Sequence, residues 1–430
     1  MNRTHRAVVV RAVAVAGLTV TLAACGSSSS NSSSSTSSST PASTGQTATP
    51  LSLGVLLPHT GTLAFLEPPM GDAVTLAIKD INAAGGVNGK PVSQTAADEG
   101  TDPNISSQSA STLLSDNVDA IIGPAATGDT LAVINKITGA KTVECSPSNT
   151  GAVLSTYPDH GYYFRTAPSD VLQSKALANL IVSDGHSNVA LVAQATDYGK
   201  GFIDGIAKAL TGSGAQVATQ VTYDPTATTF TAEVAKVKAA KPDAVVIIGY
   251  QETALFIKQM IQDGIGPKNV PIYVADGAQS STLWKSVDPH NPAVLKGVGG
   301  TAPSASPSNG TKSFPTEFKA KYPGVDSIYS AQAYDCAVVI ALAADEAHSN
   351  APADFVSHMN DVTVGGTKCT SYAQCLSLLK QGKDINYDGA SGPLDFSANG
   401  EPSVGTYDVW HFDSKGAVTT TRQLVVTPSS

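Results

Sequence analysis

From Leu51 onward the chain alternates between short apolar runs and longer stretches in which apolar residues return every three or four positions. The first kind is expected to form buried strands and the second amphipathic helices. Leu51–Leu57 reads as a strand, and Met70–Ala84 as a helix with Val74, Ile78 and Ile81 on one face, closed by Gly85-Gly86. Strands follow at Val92–Ala97, Val118–Gly123 and Lys141–Ser146, with helices at about 103–115 and 127–138 between them. Strand and helix in alternation predict a parallel sheet. From Ser169 the pattern starts again: a helix to Ser183, strands at Asn188–Gln194, Gln216–Tyr223, Asp243–Gly249 and Pro271–Asp276, and helices at Gly199–Thr211, Phe230–Ala239 and Glu252–Gln262. Val298–Ala302 is expected to lead back to the first unit, because the helix-rich stretch from about Lys312 to Asn360 lacks strands and needs a sheet to cover.

Several proposed strands, such as Val118–Gly123 and Ala244–Gly249, are almost wholly apolar, as expected when helices cover both faces. Ligands of such sheets bind beyond the carboxyl ends of the strands. Polar residues gather at those ends: Thr127 to Thr130, Ser146 to Thr150, Asp197-Tyr198, Tyr250-Gln251-Glu252 and Asp276-Gly277. Two α/β units could therefore face one cleft. The loop Cys145-Ser146-Pro147-Ser148-Asn149-Thr150-Gly151 is the most suggestive, being made of small hydroxyl and amide side chains. From the residues alone, Ser148 and Thr150 serve a helix cap as readily as a ligand.

The ends of the chain change the picture. Residues 1–24 hold Arg3, Arg6 and Arg11 followed by an apolar run from Ala12 to Ala24, which reads as an export signal. Leu22-Ala23-Ala24-Cys25 has the small-residue pattern of bacterial lipoproteins, so Cys25 is expected to be lipidated. From Gly26 to Pro50 there are 12 Ser and 5 Thr and no Leu, Ile, Val or aromatic residue, a composition that cannot offset the entropy of ordering and reads as a flexible tether. A lipid at Cys25 would hold the domain at the outer face of a membrane without spanning it. Losing the signal takes the formal charge from −9 to −12, which argues against a nucleic-acid partner. Four cysteines remain, an even number that in an exported protein reads as disulfides. Cys369 and Cys375 are expected to close a short loop, which leaves Cys145 to pair with Cys336; no histidine sits at zinc-ligand spacing near either pair.

Catalytic signatures fail in turn. There is no His-Glu-x-x-His, no Gly-x-Ser-x-Gly elbow and no dinucleotide fingerprint after the first strand. Gly85 to Pro91 resembles a phosphate loop, but the spacing is short by one and proline follows the lysine, so it reads as a turn after a helix. Asp384-x-Asn386-x-Asp388-Gly389 matches the first half of a calcium loop, yet Asp395 stands at the twelfth position instead of Glu and Pro393 interrupts; a polar turn leading into a strand is the expectation. No enzyme, metal or cofactor is implied.

The lipobox, the tether, Gly54–Pro58 with Thr60-Gly61, and "DINAAGGVNGKPV" together resemble the leucine/isoleucine/valine-binding protein family, type I substrate-binding proteins of ABC importers. "IIGPAATG", "CSPSNTG", "FRTAPSD", "DYGKG", "IIGYQE", "VADG" and "YDGASGPLDF" extend the likeness over nearly all of Leu51–Thr427. The resemblance implies an α/β fold of two doubly wound parallel-sheet lobes, joined by three hinge crossings in a Venus-flytrap. The expected division is 51–167 plus 302–395 for lobe 1 and 168–301 plus 396–430 for lobe 2, after a signal at 1–24 and a tether at 25–50. Crossings would fall near Thr166–Ser169, Gly300–Pro303 and Pro393–Ser397.

The resemblance also implies a site. Thr127, Ser148 and Thr150 match positions that hold an amino acid's α-carboxylate, and Asp276 matches the acid that pairs with its ammonium. Tyr198 and Tyr250 match aromatics of the second lobe, Tyr329 an aromatic lining the pocket, and Phe65 stands with Leu66 where the side-chain wall is expected. Asp276 replaces the Glu usual in close relatives, so its carboxylate reaches one methylene less. The expectation is a monomeric, lipid-anchored binding protein that delivers a small, branched-chain or related amino acid to an ABC permease outside the cytoplasm. Rivals on the same fold are a binder of an amide, urea or aromatic acid, and a surface sensor without transport; an extracellular hydrolase lacks a nucleophile and base.

Overall fold

The computed structural model describes residues 49–307 and 310–428. The expected signal, the lipidation site at Cys25 and nearly all of the tether lie outside the described residues.

The first unit opens with β1 (Ser52–Leu57), α1 (Glu67–Ala83), β2 (Ser93–Asp98), α2 (Pro103–Ser115), β3 (Ala120–Ile122), α3 (Thr127–Gly139), β4 (Val143–Ser146) and β5 (Tyr163–Arg165). Its five strands lie in the order β2-β1-β3-β4-β5, and each pair is parallel. Leu53, Val55 and Leu57 of β1 point to one core, while Leu56 and Ile121 point to a second core under α2 and α3, so both faces of the sheet are covered. Asp102 caps α2 by accepting from Asn104 N at 2.8 Å and Ile105 N at 3.3 Å.

The second unit follows: α4 (Asp170–Ser183), β6 (Asn188–Gln194), α5 (Asp197–Gly212), β7 (Gln216–Tyr223), α6 (Thr231–Ala240), β8 (Ala244–Ile248), α7 (Thr253–Gln262), β9 (Ile272–Val274), the short α8 (Leu283–Val287) and β10 (Gly299–Pro303). Every residue of β8 is buried, as its unbroken apolar run requires. Here one expectation is corrected. Val298–Ala302 does not return to the first sheet but forms β10, parallel to β9 and antiparallel to a later strand.

Beyond β10 the chain does cover the first sheet. It forms α9 (Phe314–Lys321), α10 (Ser330–Glu346), the single turns α11 (Pro352–Phe355) and α12 (His358–Asp361), β11 (Thr367–Cys369), α13 (Tyr372–Leu379), β12 (Ile385–Gly389) and β13 (Gly392–Pro393). α10 packs along α1, and 15 of its 17 residues are buried, so it serves as the inner wall of the first core. β14 (Gly405–Phe412) and β15 (Val418–Val426) then return as antiparallel edge strands, completing the order β15-β14-β10-β9-β8-β6-β7.

Both expected disulfides are present. Cys145 at the end of β4 is bonded to Cys336 of α10, and Cys369 of β11 to Cys375 of α13. The calcium-like segment is a second correction: it is the strand β12, paired with β11 and β13, and not a turn. An extended chain sets alternate residues about 6.6 Å apart, too far for Asp384, Asn386 and Asp388 to close on one ion. Asp388 is engaged instead by Lys368 Nζ at 2.7 Å.

Candidate functional site

The cleft is lined by strand ends from both sheets. On the first side β3 runs into α3, which starts at Thr127 behind Ala126, a residue that supplies no side-chain cap. The first N–H groups of that helix therefore keep their partial positive charge for a ligand. Glu99, at the end of β2, accepts from the N–H groups of Ala125 and Ala126 just before the helix. Thr127 Oγ1 accepts from Gly151 N at 3.1 Å, which leaves its hydroxyl hydrogen to donate elsewhere.

The loop after β4 is drawn tight by its own side chains. Ser146 Oγ donates to Pro124 O at 2.5 Å and accepts from Asn149 N at 3.1 Å. Asn149 donates to Thr130 Oγ1 at 2.6 Å and accepts from the Tyr163 hydroxyl at 2.5 Å. Gly151 lies so close to Thr127 that a Cβ there would fall 2.4 Å from Thr127 Cγ2; no other residue lets the loop approach α3 this way. Ser148 and Thr150 are buried, at 5% and 2% exposure, so neither is an ordinary surface cap. Ser148 Oγ donates to Ala125 O at 3.3 Å, and Thr150 N finds no backbone acceptor.

On the second side Asp276 follows β9 after one residue, Ala275. Its carboxylate accepts from Gln173 Nε2 at 2.7 Å and from the Tyr329 hydroxyl at 2.7 Å. Tyr198 and Tyr250 stack at 5.4 Å with an interplanar angle of 20°. Gly277 keeps room for that stack, since a Cβ there would lie 2.8 Å from Tyr250 Cδ1. Tyr250 packs against the cores of both units, and α5 approaches α3 and the turn at Ala152–Thr156, so the two sides are closed on each other.

Electrostatics divide the same way. Burial pushes the Asp276 carboxyl up, and the hydrogen bonds from Tyr329 and Gln173 pull it partly back. Asp170, at the first turn of α4, is raised further, by burial and then by the charge of Asp276. On the first side Glu99 is raised by burial and by Asp129, and Asp129 is pushed up to about 8 by burial and Asp102. Tyr198, Tyr250 and Tyr329 are all raised by burial first, so their hydroxyls stay protonated and available as donors.

The structure brings Thr127, Ser148 and Thr150 together through the hydrogen bonds that join Gly151 to Thr127 and Ser148 to Ala125. It groups Asp276, Tyr198, Tyr250 and Tyr329 around one carboxylate and one ring stack. Tyr329 does more than line a wall: it holds a left-handed backbone at φ 58° at the start of α10 and reaches Asp276 from the first unit. Phe65 packs half-buried against the first core.

Sequence reasoning missed Asp170 and Gln173. Asp170 is 1% exposed, its backbone N donates to Thr150 O at 2.7 Å, and both of its carboxylate oxygens are buried without a hydrogen-bond partner among the described residues. The available signal was an acid in the first turn of a helix that starts right after the proposed crossing at Thr166–Ser169.

This fold and cleft define a two-lobed solute-binding protein. The chain belongs to the periplasmic binding protein family, whose model matches residues 50–417. It is 27% identical over 368 residues to the chemotactic signal transduction system substrate-binding protein BasB of Halobacterium salinarum, covering 83% of this chain and 86% of that one. It is 26% identical over 314 residues to Leu/Ile/Val-binding protein homolog 1 of Brucella melitensis, covering 72% and 82%. Among solved structures it is similar to the branched-chain amino acid transporter substrate-binding protein LivJ of Streptococcus pneumoniae in complex with isoleucine, with TM-score 0.71, 24% identity and coverage of 88% and 100%. In fold it matches as well an ABC transporter solute-binding protein of R. palustris in complex with 4-hydroxybenzoate, with TM-score 0.71, 16% identity and coverage of 88% and 98%. These bear out the type I fold and the likeness to leucine/isoleucine/valine-binding proteins. No helix among the described residues is long and apolar enough to cross a membrane.

Proposed function

We propose that the protein captures a small zwitterionic amino acid between its lobes and presents the closed form to an ABC permease. The observation that carries this reading is the contrast of the two walls. Uncapped N–H groups at the start of α3, with Thr127, Ser148 and Thr150, face a carboxylate. Asp276 and Asp170, buried side by side, ask for a cation. Asp276 has no cation beside it among the described residues, and Asp170 feels only the Arg165 guanidinium, which is already bonded to Glu401; an ammonium between the two carboxyls would offset the cost of burying them.

The ligand binds first on the side of Thr127 and Thr150. Closure then brings Tyr198, Tyr250 and Asp276 onto it. A ligand favours the closed state only by its extra affinity for that state, so it must touch both walls. Cys25 anchors the chain by lipid at the outer face of the membrane, the protein acts as a monomer, and the lobes divide near 167/168, near 395/396 and, because all of β10 pairs within the second sheet, after Pro303 and not at the expected 301/302.

The test is calorimetry over L-amino acids, their carboxamides and benzoates. The amino acids should bind more tightly than compounds lacking either charged group. An aromatic acid, such as the 4-hydroxybenzoate bound by the R. palustris protein, carries the carboxylate but no ammonium, and would leave Asp170 and Asp276 without the cation they ask for. Tight benzoate binding with no amino acid bound would overturn the proposal.

A further inference from the structure

Arg165 ends β5 with no exposed surface, yet every N–H of its guanidinium is used. Nε and Nη2 donate to Glu401 Oε2, Nε at 2.8 Å. Nη2 also reaches Ser155 Oγ at 2.8 Å. Nη1 donates to Asn149 O at 3.3 Å and Gly151 O at 3.1 Å. Those two carbonyls belong to the loop whose donors, on the function proposed above, meet the carboxylate.

A trans peptide points its C=O and the following N–H in opposite directions. A guanidinium that holds Asn149 O therefore turns the Thr150 N–H to the other side of the loop, where it has no backbone acceptor. We infer that Arg165 is a positioning residue: it aims the Thr150 N–H at the ligand carboxylate without touching the ligand.

The same fork ties that loop to two of the passages between the sheets. Glu401 lies between β13 and β14, and Arg165 N donates to its neighbour Gly400 O at 2.9 Å. Ser155 Oγ lies 3.0 Å from Ser169 Oγ, in the passage from β5 to α4. The aim of Thr150 is thus set by segments that shift when the lobes move. A lysine cannot take this place, because its three donors sit on one atom and cannot span two carbonyls and a carboxylate.

The inference rests on the amino-acid reading, and the experiment separates the two. The full chain and its Arg165→Lys variant are titrated by calorimetry with L-leucine, L-isoleucine, L-valine, L-alanine and L-glutamine, each also as its carboxamide, which lacks the carboxylate. The wild type should bind at least one amino acid, and Arg165→Lys should weaken that one about 30-fold while changing its carboxamide only a few-fold. Glu401→Gln, which keeps the arginine but loosens it, should shift the same ratio less; it also decides the matter if Arg165→Lys does not fold. Equal weakening of acid and carboxamide, or no change in either, overturns the role of Arg165 and leaves the amino-acid reading standing. A wild type that binds no member of the panel sinks the reading itself, and this inference with it.

Discussion

The two sides of the cleft differ in how they are held and in what they offer. The first side carries both disulfides of the described residues, Cys145–Cys336 behind its ligand loop and Cys369–Cys375 behind α10. It offers hydroxyls and backbone N–H groups, and its own acids are kept from the cleft's charge: Glu99 is spent on two backbone N–H groups and Asp129 keeps its proton at neutral pH. The second side has no cysteine and offers Asp276, Asp170 and a stacked tyrosine pair. Backbone donors act only where they are pointed, so the donor side must be rigid; a carboxylate on a side chain tolerates more play.

The largest effect that would break this comparison is loss of the staple behind the ligand loop. Cys145 and Cys336 are 191 residues apart and Cys369 and Cys375 only 6. Chain-entropy arguments give about 5 kcal/mol for the long loop against about 2 kcal/mol for the short one. Urea unfolding of the two double Cys→Ala variants should show that ranking, and equal losses would mean that the long bridge does not tie the first side together.

Next comes Asp276→Ala, which should weaken amino-acid binding by about 2 kcal/mol or more, since the ammonium is left with a single, shared acid. Calorimetry with an unchanged dissociation constant would remove Asp276 from the site. On the opposite wall Thr150→Val takes away one hydroxyl and spares the backbone donor, for about 1 kcal/mol; a loss larger than that of Asp276→Ala would reverse the order of the two walls.

The smallest effect sharpens the electrostatic half of the contrast. Asp129 is pushed up to about 8 and Asp335 to about 6, both chiefly by burial, from ordinary values near 4. The folded chain therefore holds more protons than the unfolded one in that range, and the stability these groups contribute, complete below about pH 4, is lost as pH rises through 6 for Asp335 and 8 for Asp129. Thermal unfolding should show a lower midpoint at pH 8.5 than at pH 6.5, with the slope flattened in Asp129→Asn. A midpoint that rises over the same interval would contradict the burial of Asp129.

Much of this was legible along the chain, and for identifiable reasons. Local periodicity gave the strand and helix alternation through β9 except for the three-residue β5 (Tyr163–Arg165), too short to show a period of its own; each of the others buries a face that its own residues declare. The polar strand ends pointed to the cleft, because a parallel sheet leaves its carboxyl ends as the one place where loops from different strands meet. The cysteines paired as their spacing and number suggested. What failed was placement across long separations. β10 joined the second sheet rather than the first, as strand pairing is chosen by neighbours 26 and more than 100 residues away, at β9 and β14. The segment at 385–389 became a strand because β11 and β13 offered it partners, whatever its resemblance to an ion loop.

The sequence by itself determined the alternation of elements and the chemistry available at each strand end, because both are properties of residues near one another in the chain. Only the tertiary structure decided which groups share a space. It set Asp170 beside Asp276, brought Tyr329 across to that carboxylate, and closed Arg165 on Glu401, 236 residues further on. A buried charge or donor takes its role from whatever closes over it, and that partner comes from a part of the chain that no local pattern names.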